Sequence, residues 1–256
     1  MTFELIDTHA HLYLEEFSDD LPAVMLRAEQ EGVSRIYLPA LKSSYTPAIL
    51  ELERQFPGKC IAMAGIHPCY VQEDYAAELE ILRDLLTKRK FSAIGEIGLD
   101  YYRNTTFAKE QKTAFEQQMD MAYEYGVPIV IHSRSAMDDT IEMLRLVRGT
   151  GITGIFHCFS GSMQNAQDII DCGLALGIGG VVTYKNAGVA EIVAELPLEN
   201  IVLETDAPYL APAPFRGKRN ESGYLKYIVA KIAQVKNVSE EEVARVTTEN
   251  AKRVFK

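Results

Sequence analysis

The sequence predicts an α/β chain closed into a (β/α)8 (TIM) barrel, and three observations carry that expectation. Eight short apolar runs are spread along it, at 5–7, 35–39, 60–65, 93–97, 128–131, 154–156, 174–178 and 201–203. Each is followed by a longer stretch of helical character, the pattern of parallel strands wrapped by helices. The length of 256 residues suits one such barrel and is too short for two. A doubly wound open sheet alternates in the same way, so periodicity alone leaves that architecture open.

Taken in order, the runs are separated by residues that stop regular structure. Pro57-Gly58 precedes the third run, Gly126 and Pro128 open the fifth, Gly149 to Gly151 lead to the sixth, and Gly173 precedes the seventh. Between the fourth and fifth runs, 107–125 reads as a helix with Phe107, Phe115, Met119 and Ala122 along one face. After the eighth run, 207–224 is an irregular loop holding Pro208, Pro212 and Pro214, then Arg216, Lys218 and Arg219. Ser239 with Glu242 is a capping-box pattern that starts a last helix, whose apolar positions are Val243, Val246, Ala251 and Val254. With no repeat, low-complexity tract or linker, residues 1–256 read as one domain.

Composition narrows the classes of function. Apolar residues make up 47% and charged residues 24%, enough for a core without staples. Lys plus Arg number 26 against 36 Asp plus Glu, a net charge of −10, which argues against a broad basic surface for nucleic acid. A phosphate-bearing substrate stays open, because bound divalent cations supply positive field locally. Cys60, Cys69, Cys158 and Cys172 form no C-x-x-C pair, so neither a zinc knuckle nor a dithiol redox motif is expected, and reduced thiols of a cytoplasmic enzyme are. The opening residues lack a basic, then apolar leader, and no run approaches the roughly 18 apolar residues of a membrane span.

The chemistry-bearing residues collect at the carboxyl ends of the runs. His9 and His11 follow the first, His67 the third, His132 the fifth and His157 the sixth, which accounts for all five histidines. Glu96 ends the fourth run and Asp206 follows the eighth. In a (β/α)8 barrel these ends share one rim, where catalytic groups gather. One residue between His9 and His11 in an extended strand puts both imidazoles on one face. Imidazoles and carboxylates hold divalent metal while leaving room for water and substrate, and a carboxylate such as Glu96 can bridge two ions. Four imidazoles suggest zinc; two carboxylates with a phosphate substrate suggest magnesium or manganese. Asp206 is placed to bind one ion and to take a proton from water.

Longer motifs around these residues resemble the TatD-family metal-dependent deoxyribonucleases, within the amidohydrolase-like barrels. They are Asp7-Thr8-His9-Ala10-His11-Leu12, Gly65-Ile66-His67-Pro68, the stretch from Ile94 to Tyr102, Ile131-His132-Ser133-Arg134, and Phe156 to Gly161. Leu203 to Leu210, Arg216 to Asn220 and Thr248 to Ala251 continue the likeness, in order, over essentially the whole chain. The resemblance implies a two-metal barrel with exonuclease activity on DNA, single-stranded or at 3′ ends. It also implies that His9, His11, Glu96 and Asp206 bind one ion and that Glu96, His132 and His157 bind the other. His67 would touch the substrate phosphate from outside the metal ligands. Arg134 is a candidate for the same task, Arg216, Lys218 and Arg219 for the nucleic-acid backbone, and Tyr209 for packing. A monomer is expected.

Two positions depart from the family pattern. Cys69 stands where many members carry a second histidine, and Glu221-Ser222 where many have an acidic residue and proline. Among rival readings, a barrel hydrolase of amides, lactones or phosphotriesters would usually bridge its metals with a carboxylated lysine, where this chain has Glu96. Hydrolysis of an aminoacyl ester borne on nucleic acid would suit the same fold and metals. A non-catalytic scaffold would have no use for six ligand-type residues.

Overall fold

Parallel strands covered on both faces are almost continuously apolar, and the eight runs become eight such strands in the computed structural model, which describes residues 3–102 and 105–256. They are β1 (Leu5–Asp7), β2 (Val33–Leu38), β3 (Cys60–Ala62), β4 (Ile94–Asp100), β5 (Ile129–Arg134), β6 (Gly154–Phe156), β7 (Leu174–Ile178) and β8 (Ile201–Leu203). Each is followed by a helix: α1 (Leu21–Gln30), α2 (Thr46–Gln55), α3 (Tyr75–Lys88), α4 (Ala108–Tyr125), α5 (Met137–Leu144), α6 (Met163–Asp171), α7 (Val189–Glu195) and α8 (Leu225–Lys236). A further helix, α9 (Glu240–Val254), ends the fold. Met1 and Thr2 of the opening segment lie outside the described residues.

The strands pair in parallel and in chain order, β1 to β3 in one arc and β4 to β8 in another. Two seams join the arcs into a barrel. At one, Gly95 N donates to Ala64 O at 2.9 Å; at the other, Thr8 N donates to Leu203 O at 3.0 Å and Asp206 N to His9 O at 2.9 Å. The α/β barrel expectation is therefore met.

Four strands keep the predicted bounds. β4 and β5 run further than their apolar patterns, because their ladder continues through Leu99–Ser133 to Asp100–Arg134. Backbone hydrogen bonds carry these strands into the polar rim after side-chain hydrophobicity has stopped. Glu96 thus lies inside β4, and not at its end as the run suggested. The register shifts between Gly95 and Ile97, a bulge that re-aims the side chain between them. Gly98 lets β4 stay close to β5: its φ is +137°, and a Cβ there would lie 2.0 Å from His132 O.

The barrel interior is filled at its floor. Ile6, Tyr37, Met63, Ala93, Val130, Ile155, Ala175 and Val202, one from each strand or the residue beside it, pack with Ala251, Val254 and Phe255. The Phe255 ring stacks on Tyr37 at 3.8 Å, so the end of α9 plugs the barrel. Ser239 Oγ accepts from Glu242 N at 3.1 Å and caps that helix, worth about 1 kcal/mol. Glu240 to Glu242 in its first turn and Lys252 and Arg253 in its last complement the helix dipole.

Candidate metal centre at the barrel mouth

The ligand-type residues arrive at the mouth from five strands. The segment after β1 is held on both sides: Ala10 N donates to Tyr37 O at 3.1 Å and His11 N to Ala207 O at 2.7 Å. Asp7, fully buried, stitches the same segment to the turn after β8 by accepting from Thr205 N at 3.0 Å, Thr205 Oγ1 at 2.6 Å and His9 N at 3.3 Å. Burial pushes the Asp7 carboxyl up to about 7, against those hydrogen bonds. Asp206 takes a left-handed conformation, φ 57°, which turns it into the mouth.

Glu96 lies at the centre, and its two oxygens face different neighbours. Oε2 is 3.2 Å from His9 Nε2 and 3.4 Å from His11 Nε2. Those two nitrogens are 3.2 Å apart and lie 3.8 and 3.5 Å from Asp206 Oδ1. Oε1 is 2.8 Å from His132 Nδ1, 3.7 Å from His157 Nε2 and 3.4 Å from His67 Nε2. All six predicted ligands and His67 are therefore brought together. Burial would raise the Glu96 pKa, but His67, His9, His11 and His132 outweigh it and hold the carboxyl well below the usual range.

The far side of each ring decides what the near side presents. Tyr13 OH donates to Pro39 O at 2.7 Å, so its oxygen is left to accept from His11 Nδ1 at 2.8 Å. Neutral His11 therefore carries its proton on Nδ1 and turns a bare Nε2 toward Glu96 and Asp206. Asp100 Oδ2 lies 3.0 Å from His132 Nε2, leaving Nδ1 to face Glu96. Glu204 Oε1 lies 3.0 Å from His157 Nδ1 at ion-pair distance, and His157 Nε2 faces the centre, 3.7 Å from Glu96 Oε1. His67 is the reverse case. Its Nδ1 accepts from Cys69 N at 3.0 Å, so in the neutral ring Nε2 is an N–H donor and not a ligand. Although His67, Glu96 and His132 are close enough to hold an ion, this tautomer sets His67 apart.

The outer carboxylates do not stand out in the sequence. Glu204 is fully buried, accepts from Cys158 N at 2.6 Å, and has room only because position 177 is glycine: a Cβ there would sit 2.2 Å from Oε2. Glu204 and Tyr13 both lie close in sequence to a ligand, two residues before Asp206 and two after His11, but in turns and irregular chain beyond the strands, where no periodicity marks them. Asp100 is four residues past Glu96 across the bulge, which hides the relation.

Charge at the centre is mutual. Burial lowers the His11 pKa, but Asp206 and Glu96 outweigh it and push it up to about 9. For His157 burial again works downward, and Glu204 and Asp206 raise it to about 10. Burial lowers His67 and His9. Imidazole nitrogens that a metal can strip of their protons and ionised carboxylates, converging within ion-pair distance, fit divalent cations, and the split of Glu96 fits two of them. His9, His11 and Asp206 form one donor group, and His9, Glu96 and His157 another.

Around the rim, the predicted cations differ in availability. The exposed Arg134 guanidinium lies 3.8 Å over the Tyr102 ring, and the exposed Arg216 lies 4.6 Å over Tyr184. Lys218 is exposed. Arg219 is engaged elsewhere, donating to Asp20 Oδ1 and Oδ2 at 2.7 and 2.8 Å and to Glu16 O at 2.7 Å. Glu221 pairs with Arg27 at 2.8 and 2.6 Å, and Cys69 Sγ donates to Asp100 Oδ2 at 3.3 Å. Asn220, fully buried, clamps the turn after β8: its Nδ2 donates to Thr205 O at 2.7 Å and Tyr209 O at 2.8 Å. Among the described residues, no helix is long and apolar enough to cross a membrane.

Comparison with known proteins agrees with this geometry. Residues 6–256 match the sequence pattern of the TatD related DNase family. The chain is 39% identical over 253 residues to the uncharacterized metal-dependent hydrolase YabD of Bacillus subtilis, covering 98% of this chain and 99% of that one. It is 31% identical over 258 residues to the 3′-5′ ssDNA/RNA exonuclease TatD of Pectobacterium parmentieri, covering 98% and 99%. The crystal structure of YjjV, a TatD homologue of Escherichia coli, superposes with a TM-score of 0.93 at 30% identity, covering 100% of this chain and 99% of that one.

Proposed function

The chain belongs to the TatD related DNase family of metal-dependent hydrolases, and we propose that it removes nucleotides from single-stranded DNA, at 3′ ends, by hydrolysing phosphodiester bonds. The observation that carries this reading is the division of Glu96, with Oε2 toward His9 and His11 and Oε1 toward His132 and His157. The activity named for the Pectobacterium relative supports the choice of substrate.

In this reading His9, His11, Asp206 and Glu96 would hold one divalent ion, and Glu96, His132 and His157 the second. Bound there, such ions lower the pKa of water and stabilise charge on a phosphoryl group. Asp206 accepts the proton of the attacking water. In the metal-free site burial would raise its carboxyl, but His157 and His11 outweigh that and keep it below its usual value, and a bound divalent ion would likewise favour the ionised form. His67, whose Nε2 carries the proton, donates to a non-bridging phosphate oxygen. Arg134 and Arg216 meet neighbouring phosphates at the rim. Tyr13, Asp100 and Glu204 orient the rings of His11, His132 and His157. Because one chain supplies every member of the centre, a monomer suffices, and the thiols of Cys60 and Cys172, buried in the core, suit the cytoplasm.

The direct test is to reconstitute the protein with Mg, Mn or Zn and offer single-stranded DNA, duplex DNA, RNA and small esters. Release of mononucleotides from single-stranded 3′ ends is expected. Turnover of aminoacyl or alkyl esters with no phosphodiester cleavage would replace the reading. In parallel, Glu96→Ala should lower bound metal from about two ions per chain to one or none. Two retained ions with unchanged activity would refute the bridge.

A further inference from the structure

The cations of the mouth are few, and a nucleic acid held there needs another source of binding energy. Among the described residues, five of the eight large exposed apolar side chains lie away from the centre, Leu26, Ile81, Tyr123 and Leu146 toward the helical exterior and Val238 between α8 and α9. The other three, Tyr102, Tyr209 and Leu210, follow β4 and β8 at the mouth. Tyr102 already has the Arg134 guanidinium over its ring. Tyr209 is 49% exposed, and its ring lies 6.2 Å from that of His11, edge to face.

This exposure belongs to a fixed segment. Tyr209 N donates to Asp206 O at 2.8 Å, and Tyr209 O accepts from the buried Asn220 amide at 2.8 Å. Leu210, 39% exposed, is held in the left-handed region at φ 51°, a costly conformation for a branched aliphatic residue. A residue that merely packed would be covered. Here the backbone is tied down, and the apolar side chains are turned outward beside the metal-ligating His11.

We infer that Tyr209, flanked by Leu210, is a stacking seat for an unpaired nucleobase of the strand being cut, an inference that rests on the phosphodiester reading above. Every base offers a π-face, so the seat takes any sequence, and only a base freed from a duplex reaches it. Base–aromatic stacking replaces binding energy that the acidic chain does not draw from charge. The fixed backbone reduces the entropy lost on binding.

The test pairs the protein change with removal of single bases. Single-stranded oligonucleotides carrying one abasic site, moved stepwise through the last few nucleotides at the 3′ end, are given to metal-loaded wild type, Tyr209→Ala and Tyr209→Phe. At one position the abasic site should raise KM for wild type about tenfold, while Tyr209→Ala, already weakened on the intact strand, shows almost no further loss. Tyr209→Phe keeps the ring and should keep the wild-type penalty. Tyr209→Leu substitutes for the alanine variant if melting shows that one misfolded. Wild-type cleavage with the same abasic penalty in every variant overturns the seat and leaves the phosphodiester reading standing. Failure of wild type to cut any oligonucleotide, while turning over small esters, overturns both.

Discussion

At the floor of the barrel, Ile6, Tyr37, Val130, Ile155 and Val202 fill the interior with apolar volume closed by Phe255. A few residues further along, the chain brings Glu96 within 3.2 to 3.7 Å of His9, His11, His67 and His157, and 2.8 Å of His132. Both ends are buried, yet they obey different rules. The floor depends on shape and volume, so similar hydrophobes are exchangeable there. The mouth buries ionised groups that are costly unless each has a counter-charge, and its backbone takes left-handed conformations at Asp206 and Leu210. Stability and activity are thereby assigned to opposite ends of one barrel, and substitutions at each end should separate them.

The largest separation is expected at Asp206. Asp206→Asn keeps the shape and one ligating oxygen but removes the base, so turnover should fall by about two to four orders of magnitude with little change in melting temperature. Near-normal hydrolysis by this variant would break the proposed mechanism. At His67, alanine should lower activity on DNA by about ten- to a thousandfold while metal content, read by elemental analysis, stays at the wild-type level. Loss of metal would move His67 among the ligands and contradict the tautomer set by Cys69 N.

The floor should respond in the opposite way. Phe255→Ala uncovers Tyr37 and leaves a cavity, costing about 3 kcal/mol in denaturant unfolding, with turnover per folded molecule and metal content unchanged. A drop in metal affinity at full folding would show that the two ends are coupled.

The mildest effect is a pH dependence confined to the mouth. With pKa values raised to about 9 and about 10, His11 and His157 are protonated at neutral pH before metal binds. Metal must displace those protons, so affinity should rise with pH up to about 10, by at most tenfold per pH unit for each proton released. Calorimetry in buffers of different ionisation heat should count one to two protons released. The same shifts stabilise the metal-free protein fully below the unfolded histidine value of about 6.5, and that stability is lost as pH climbs through the raised values. Its melting temperature should therefore fall between about pH 7 and 10. Absence of both effects would mean that the imidazoles are neutral before metal arrives.

The contrast between the ends also explains what could be read from the sequence. Strand count and the positions of His9, His11, Glu96, His132, His157 and Asp206 were legible, because apolar periodicity marks the strands and a barrel collects their ends. Where β4 and β5 stop was not, since the ladder to Asp100 and Arg134 is carried by backbone bonds that leave no apolar signature. Nor were the partners of the rings. Tyr13, Asp100 and Glu204 act through the nitrogen that faces away from the centre, and which nitrogen that is depends on ring orientation. Arg219 illustrates the same limit: its charge suggested a backbone contact, and the fold commits it to Asp20.

The seam between β1 and β8 has a consequence for how the chain is made. Thr8 meets Leu203, and Tyr37 meets Phe255, across almost the full length of the sequence. A nascent chain leaving the ribosome can form the β1–β3 arc early, but with an open edge at β1 and an uncovered Tyr37. Closure waits for the final helix, and contacts of such high order are slow to form. Until then the strand edge and the apolar interior are open to other chains, the situation that leads to aggregation during synthesis. A one-piece ring therefore makes the arrival of β8 and α9 the step on which escape from aggregation depends.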